Sequence, residues 1–263
     1  MKVVKTLAEW HAVRESMDDS VGFVPTMGAL HAGHAALLER SVRENRYTVL
    51  SIYVNPTQFN NADDLDNYPC TLEADLKLAA DLGVHAVLLP RYQEIYPDGF
   101  RFRVDETDFS HTLCGAHRPG HFTGVLTVVM KLFNIVRPRR AYFGEKDHQQ
   151  LTLIRDMARA FFLPVDVVSV PTVRDSDGLA LSSRNLRLSP DARRLAPTFS
   201  RLLASAAADA EIAQALIDQG FTVDYVETIN GRRYGAVVMA CGDHTVRLID
   251  NVPAPEPGFA RAS

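Results

Sequence analysis

The chain has 263 residues, 46% of them hydrophobic and 23% charged, with a formal net charge of -4. That is the make-up of an ordinary globular protein, with room for one large domain or a medium one plus a small one. The negative balance argues against a nucleic-acid binder, which carries a basic excess. Cys70, Cys114 and Cys241 are an odd, sparse set that does not read as a disulfide framework and holds no Cys-x-x-Cys pair.

The first ten residues carry Lys2, Lys5 and Glu9 and no apolar core, so they do not form a signal peptide. No run reaches membrane-spanning length, and the expected location is the cytoplasm. Residues 21–24 form an apolar strand before Pro25. Residues 34–45 follow as an amphipathic helix, and 47–54 as a strand buried on both faces. A helix is expected over 71–82, with Thr71 as N-cap and Gly83 as stop, then a strand over 85–89. Next come a helix over 123–136, a strand over 141–143, a helix over 147–162 closed by Pro164, and a strand over 165–170.

This alternation predicts an α/β fold: a Rossmann-like parallel sheet with helices on both faces, over residues 1–172. Ligands of such sheets sit beyond the carboxyl ends of the strands. From 173 to 263 the pattern changes. A helical region opens at Ser189-Pro190-Asp191, and a second helix covers 211–219. Strands follow over 224–229, 236–240 and 246–249, with turns at Asn230-Gly231 and Gly242-Asp243. This is a small α+β domain, and its tail from Pro253 is expected to fray.

Four segments carry the residues suited to chemistry. The first, 25–34, is Pro-Thr-Met-Gly-Ala-Leu-His-Ala-Gly-His. It joins a strand to a helix whose free N–H groups attract phosphate. His31 and His34, three apart on the first turn, face the same side and can donate to an anion or titrate near neutral pH. The frame from Gly28 to Gly33 copies a Walker A loop, but His34 and Ala35 replace its Lys and Ser/Thr, so this is no P-loop. A third metal ligand is missing.

The second segment, 143–150, places Lys146 at a helix start as a point charge for phosphate, and Gln150 one turn on. A solvated helix start, with Glu145 and Asp147 serving the dipole, explains it equally well. The third, 177–185, offers Ser182, Ser183 and Arg184 as a triphosphate clamp. The fourth, 54–59, gives Asn55 and Gln58, neutral groups suited to a small hydroxy acid. Asp75 could ligate a metal, though an exposed helix carboxylate is commoner. Arg118 and His121 are candidates for a substrate anion, while His117 reads as structural or exposed.

Together these segments resemble the pantothenate synthetase family. The matching stretches are PTMGALHAGH (25–34), VNPTQF (54–59), RPGHFTGV (118–125), GEKDHQQL (144–151) and DGLALSSRN (177–185). They appear in the family's order, and the resemblance covers almost the whole chain. The resemblance implies Mg²⁺-ATP-dependent joining of pantoate and β-alanine through an acyl adenylate, with AMP and pyrophosphate released. It also implies a homodimer and a C-terminal domain acting as a lid. ATP contacts are implied for Met27, Gly28, Ala29, Leu30, His31, Ala32, Gly33, His34, Gly144, Glu145, Lys146, Asp147, Val173, Leu181, Ser182, Ser183 and Arg184. His34 takes the family's proton-donor position, and His31, Lys146 and Arg184 join it in stabilising charge. Gln58 falls at the pantoate and β-alanine site, Gln150 at pantoate, Asn55 on the pantoate side, and Asp75 on the Mg²⁺ side. Thr57, His148 and a shorter stretch after Ala204 depart from the family pattern. Two rivals stay open: a nucleotidyltransferase that stops after nucleotide transfer, and a non-catalytic nucleotide-binding protein.

Overall fold

The structure, a computed structural model, describes residues 1–254. The chain divides into two compact units, one ending at Pro171 and the other beginning at Thr172.

The first unit is built on six parallel strands: β1 (Lys2–Val4), β2 (Val21–Thr26), β3 (Tyr47–Ile52), β4 (Ala86–Leu88), β5 (Arg140–Gly144) and β6 (Asp166–Val170). Their order is β1-β4-β3-β2-β5-β6. The helices between them are α1 (Leu7–Glu15), α2 (Ala32–Glu44), α3 (Ala62–Asp66), α4 (Leu72–Asp81), α5 (Tyr92–Ile95), α6 (Cys114–His117), α7 (His121–Val136) and α8 (His148–Ala160). Val24 and Leu50 pack with Leu37 and Leu38 of α2 and Ala79 of α4 in one core layer. Phe23 and Val49, one residue earlier in each strand, are fully buried as well. By strand alternation they face the opposite side of the sheet, so it is covered on both faces.

From β2 the chain runs outward through β3 to β4, then returns to place β5 on the other side of β2. The direction of winding therefore reverses between β2 and β5, a switch point of the kind where open α/β sheets bind ligands. Strand β2 runs past Pro25, two residues further than expected. Its pairing with β5 covers only Gly22 and Phe23, so the absent Pro25 N–H breaks no bond on that side.

Strand β1 and helix α1 are additions to the sequence reading. Thr6 and Glu9 form a reciprocal capping box at the start of α1. Trp10, fully buried, donates its indole N–H to the Ile135 carbonyl at 2.8 Å. The α1 pattern was hidden because much of the helix is exposed.

In the second unit β7 (Thr222–Ile229), β8 (Arg232–Cys241) and β9 (His244–Pro253) form an antiparallel meander. Asn230-Gly231 and Gly242-Asp243 make its turns, as expected. Helices α9 (Pro190–Leu195), α10 (Pro197–Leu203) and α11 (Asp209–Asp218) bury Phe199, Leu203, Ile212 and Leu216 against Val237, Met239 and Leu248. The expected fraying from Pro253 is corrected for its first two residues. Pro253 ends β9, and the Ala254 N–H donates to the Gly231 carbonyl at 2.8 Å. The remainder of that tail lies outside the described residues.

Candidate active site

The segments expected to carry chemistry in the first unit leave the carboxyl ends of β2, β3 and β5, which are neighbours in the sheet. After β2 the chain turns through Gly28 and Ala29, both left-handed at φ +85° and +51°. An L-residue in that region costs about 1–2 kcal/mol, so the Ala29 conformation must be held by its surroundings. His31 is then the N-cap of α2. Its Nδ1 accepts the Gly33 N–H at 3.1 Å, and the His34 Nδ1 accepts the His31 N–H at 3.4 Å. Glycine is required at 33 because a Cβ there would sit 2.8 Å from the His31 ring.

Both Nδ1 atoms accept, so each neutral ring keeps its proton on Nε2. The rings lie 4.2 Å apart between centroids. Burial, reinforced by Lys146, pushes His31 down to about 4. Burial, then His31 and Lys146, push His34 down to about 3. The expected titration near neutral pH is corrected: at pH 7 both rings are neutral donors. Lys146, carried by the turn after β5, is the positive charge these rings sense. Asp147 lies 3.9 Å from its Nζ.

The expectation of free backbone N–H groups is also corrected. Those of Gly28, Ala29, Leu30, His31 and Gly33 are all engaged by Thr26, Asp75 and the two imidazoles. Among the described residues, Ala32 and His34 keep unpartnered N–H groups. Asp75 is neither exposed nor placed as a metal ligand. It is 2% exposed, and both carboxylate oxygens accept hydrogen bonds from the β2 loop or from Thr71. Mg²⁺ keeps several waters and needs room for them, so Asp75 does not fit the role. No cluster of three His, Cys, Asp or Glu among the described residues could hold a metal.

After β3, Asn55 is buried at 1% exposure and fully satisfied. Its Oδ1 accepts the hydroxyls of Thr57 (3.0 Å) and Tyr96 (2.9 Å). Its Nδ2 donates to the Gly124 carbonyl (3.2 Å) and to the Gln58 Oε1 (3.0 Å). All of the Asn55 side-chain hydrogen-bonding positions are thus occupied by the protein itself. Asn55 orients Gln58. With Oε1 committed, the Gln58 Nε2 faces the Met27 sulfur at 3.3 Å, a weak acceptor that a carboxylate would readily replace. Tyr96 was missed in the sequence because it lies 41 residues beyond Asn55.

The sequence profile of the family described as pantoate-beta-alanine ligase matches residues 1–253. The chain belongs to the pantoate–β-alanine ligase family. A pantothenate synthetase of Bdellovibrio bacteriovorus is 52% identical over 251 residues, 95% of this chain and 98% of the relative. One of Legionella pneumophila strain Lens is 51% identical, covering 95% of this chain and 99% of its own. Among solved structures, the pantoate-beta-alanine ligase of Francisella tularensis, complexed with beta-gamma ATP and beta-alanine, superposes with a TM-score of 0.91. It is 37% identical and covers 98% of this chain and all of its own. Pantothenate synthetase from Thermus thermophilus gives a TM-score of 0.87 at 43% identity, covering 97% of this chain and 99% of its own.

Two adjacent glutamines of α8 differ in what surrounds them. Gln149 is 6% exposed, donates to the carbonyls of Phe109 and Thr112, and accepts the Cys114 N–H. The Gln150 side chain, half-buried, makes no hydrogen bond among the described residues. Arg118 and His121, expected to meet a substrate anion, clamp a backbone group instead. His121 donates from Nδ1 to the Gln58 carbonyl at 2.8 Å, and Arg118 reaches the same oxygen at 3.4 Å. His117 is exposed.

In the second unit, the Ser182 hydroxyl accepts the Arg184 N–H at 3.3 Å and opens a short 3-10 turn, Ser183–Arg187. Leu181 donates its N–H to the Val173 carbonyl at 3.0 Å. The base of this segment is fixed by Arg174, which forms two hydrogen bonds to Asp250 at 2.7 and 2.9 Å. Of the family departures, Thr57 has acquired a role in holding Asn55. His148 opens α8 without capping it. Nothing in the structure assigns a consequence to the shorter stretch after Ala204.

Proposed function

We propose that the histidine loop and Lys146 hold the triphosphate of ATP while Gln58 and Gln150 hold a small hydroxy acid, so that the chain joins pantoate to β-alanine. One observation carries this. At the switch point of the sheet, two neutral imidazoles with their ring protons on Nε2 share their surroundings with one lysine. Such a set donates to phosphate oxygens and supplies charge without a covalent nucleophile. Membership of the family, and a relative solved with beta-gamma ATP and beta-alanine, support the substrates.

A pantoate carboxylate oxygen attacks the α-phosphorus. The bond from that phosphorus to the bridging oxygen breaks, and pyrophosphate leaves. His31, His34 and Lys146 stabilise the charge that gathers on the phosphoryl oxygens and the leaving group. Incoming phosphate charge favours the protonated form of His34, which lets it act as proton donor in the loaded site. The β-alanine nitrogen then attacks the acyl carbon, the bond to AMP breaks, and the ammonium sheds two protons to water. Gly144, Glu145 and Asp147 line ATP beside Lys146. The family resemblance assigns Val173, Leu181, Ser182, Ser183 and Arg184 to ATP as well, and a lid role to the second unit. Mg²⁺ belongs to this reading as the companion of ATP, carried on its phosphates. No side chain here is assigned to it.

The test is pantoate-dependent exchange of pyrophosphate into ATP without β-alanine, followed by AMP release when β-alanine is added. Exchange that does not depend on pantoate sinks the reading. A homodimer and a cytoplasmic location rest on the family resemblance. Sedimentation at micromolar concentration tests the first, and a monomer there defeats it. No helix among the described residues is long and apolar enough to cross a membrane.

A further inference from the structure

Asp75 sits one turn into α4, and its carboxylate points at the β2 loop. Its Oδ2 accepts the Ala29 N–H at 2.9 Å, and its Oδ1 accepts the Leu30 N–H at 2.8 Å. Successive left-handed residues, Gly28 and Ala29, turn these two neighbouring N–H groups the same way. That is a backbone nest, a concavity suited to an anion. Here the protein supplies the anion itself.

Two further observations show how closely the nest is built around the carboxylate. A Cβ on Gly28 would lie 3.1 Å from the Asp75 Oδ2, so the loop backbone closes directly over that oxygen. Thr71, the N-cap of α4, makes no capping bond to its own helix, although that is the usual task of a threonine there. Its hydroxyl instead donates to the Asp75 Oδ1 at 3.0 Å. Oδ1 thus accepts two donors and Oδ2 is covered, leaving no open face for a hydrated cation.

We infer that Asp75 is a positioning residue for the histidine loop and not a metal ligand. It fills the one anion nest of the loop, so phosphate cannot lodge at Ala29 and Leu30 and meets the Nε2–H groups of His31 and His34 instead. It also fixes the backbone immediately before His31, whose N–H orients the His34 ring. This rests on the reading that the loop holds ATP phosphates.

The experiment compares Asp75→Asn and Thr71→Val with the unsubstituted chain in two readouts. The first is calorimetric binding of α,β-methylene-ATP, once with Mg²⁺ and once in EDTA. Asp75→Asn sets a donor against a donor in the nest. It is expected to weaken binding about tenfold, by the same factor in both conditions. A loss confined to the Mg²⁺ condition, or no loss in either, overturns the inference. The second readout is the imidazole ¹⁵N spectrum without nucleotide. The unsubstituted chain is expected to show both histidines as the single Nε2–H tautomer, and Asp75→Asn to show averaged tautomers. Unchanged histidine resonances also overturn the inference.

If Asp75→Asn does not fold, Thr71→Val, which removes one hydroxyl, carries both readouts, with a shift of about threefold expected in binding. Failure of the unsubstituted chain to bind the nucleotide strikes the proposed function instead. The ¹⁵N spectrum still decides the role of Asp75.

Discussion

The loops after β2 and β3 lie side by side and prepare their polar groups by opposite means. The β2 loop satisfies most of its backbone donors internally, through Thr26, Asp75 and the two Nδ1 atoms, and leaves the imidazole Nε2–H groups uncommitted. The β3 loop spends a whole buried side chain, Asn55, to aim one neutral amide. The first arrangement suits a polyanion that brings its own charge. The second suits a small acid that must be told from similar ones by the direction of a hydrogen bond. Pre-organisation costs a polar group in each case, and the group spent differs with the ligand.

The largest effect expected from breaking this contrast is on the β2 side. His34→Ala should lower pantoate-dependent pyrophosphate exchange by about 10²–10³, the loss typical of one well-placed donor in such a site. Lys146→Ala should fall in the same range. Retention of near-full exchange by either variant would remove that residue from the reaction.

A second comparison uses the two glutamines of α8. Gln149→Ala strands two carbonyls and an N–H in a buried place, so it should lower unfolding free energy by about 1–3 kcal/mol in urea titrations. Gln150→Ala should leave the urea midpoint where it was and raise the KM for pantoate about tenfold, as loss of a substrate hydrogen bond does. Exchange of these outcomes between the two positions would reverse their assignment.

On the β3 side, Tyr96→Phe removes one of the two hydroxyls that hold the Asn55 Oδ1. The expected result is a two- to fivefold rise in the KM for pantoate with kcat unchanged, because neutral hydrogen bonds contribute about 1 kcal/mol each. A fall in kcat at constant KM would show that the network acts on chemistry rather than on aim.

The last comparison is pH dependence. His31 and His34 are pushed below the ordinary histidine range, to about 4 and about 3. The unfolded chain therefore binds more protons than the folded one between about pH 6.5 and 3, and stability falls as pH drops through that window. Above about pH 6.5 the pair contributes no slope. Chemical-denaturation midpoints should fall less steeply with acid in a His31→Gln, His34→Gln double variant than in the unsubstituted chain. Equal slopes would mean that the rings are not held neutral.

Much of the fold was legible because its signals are local. Apolar strands, amphipathic helices and the Asn-Gly and Gly-Asp turns each occupy a few consecutive residues. Helix α1 carried one local signal, the capping-box spacing of Thr6 and Glu9, and its exposed face hid the rest. The candidate site was legible as segments and not as wiring. Asp75 lies 46 residues from Ala29, and Tyr96 lies 41 from Asn55. Only the sheet brings these pairs together, and neither side chain carries a signal of its own. The same distance hides the protein partners of Asn55, Asp75, Arg118 and His121: residue type indicates what a group can bind, and folding decides what it meets first.

His31 serves two masters. It caps α2 through Nδ1, and its remaining ring proton, on Nε2, stays uncommitted. Aspartate would be a better cap for that helix, and selection for thermal robustness alone would favour it. It would also set a carboxylate where phosphate oxygens are meant to arrive. Stability and turnover therefore pull this position in opposite directions. In a directed-evolution library scored only for heat resistance, position 31 is where improved survivors should most often be catalytically dead.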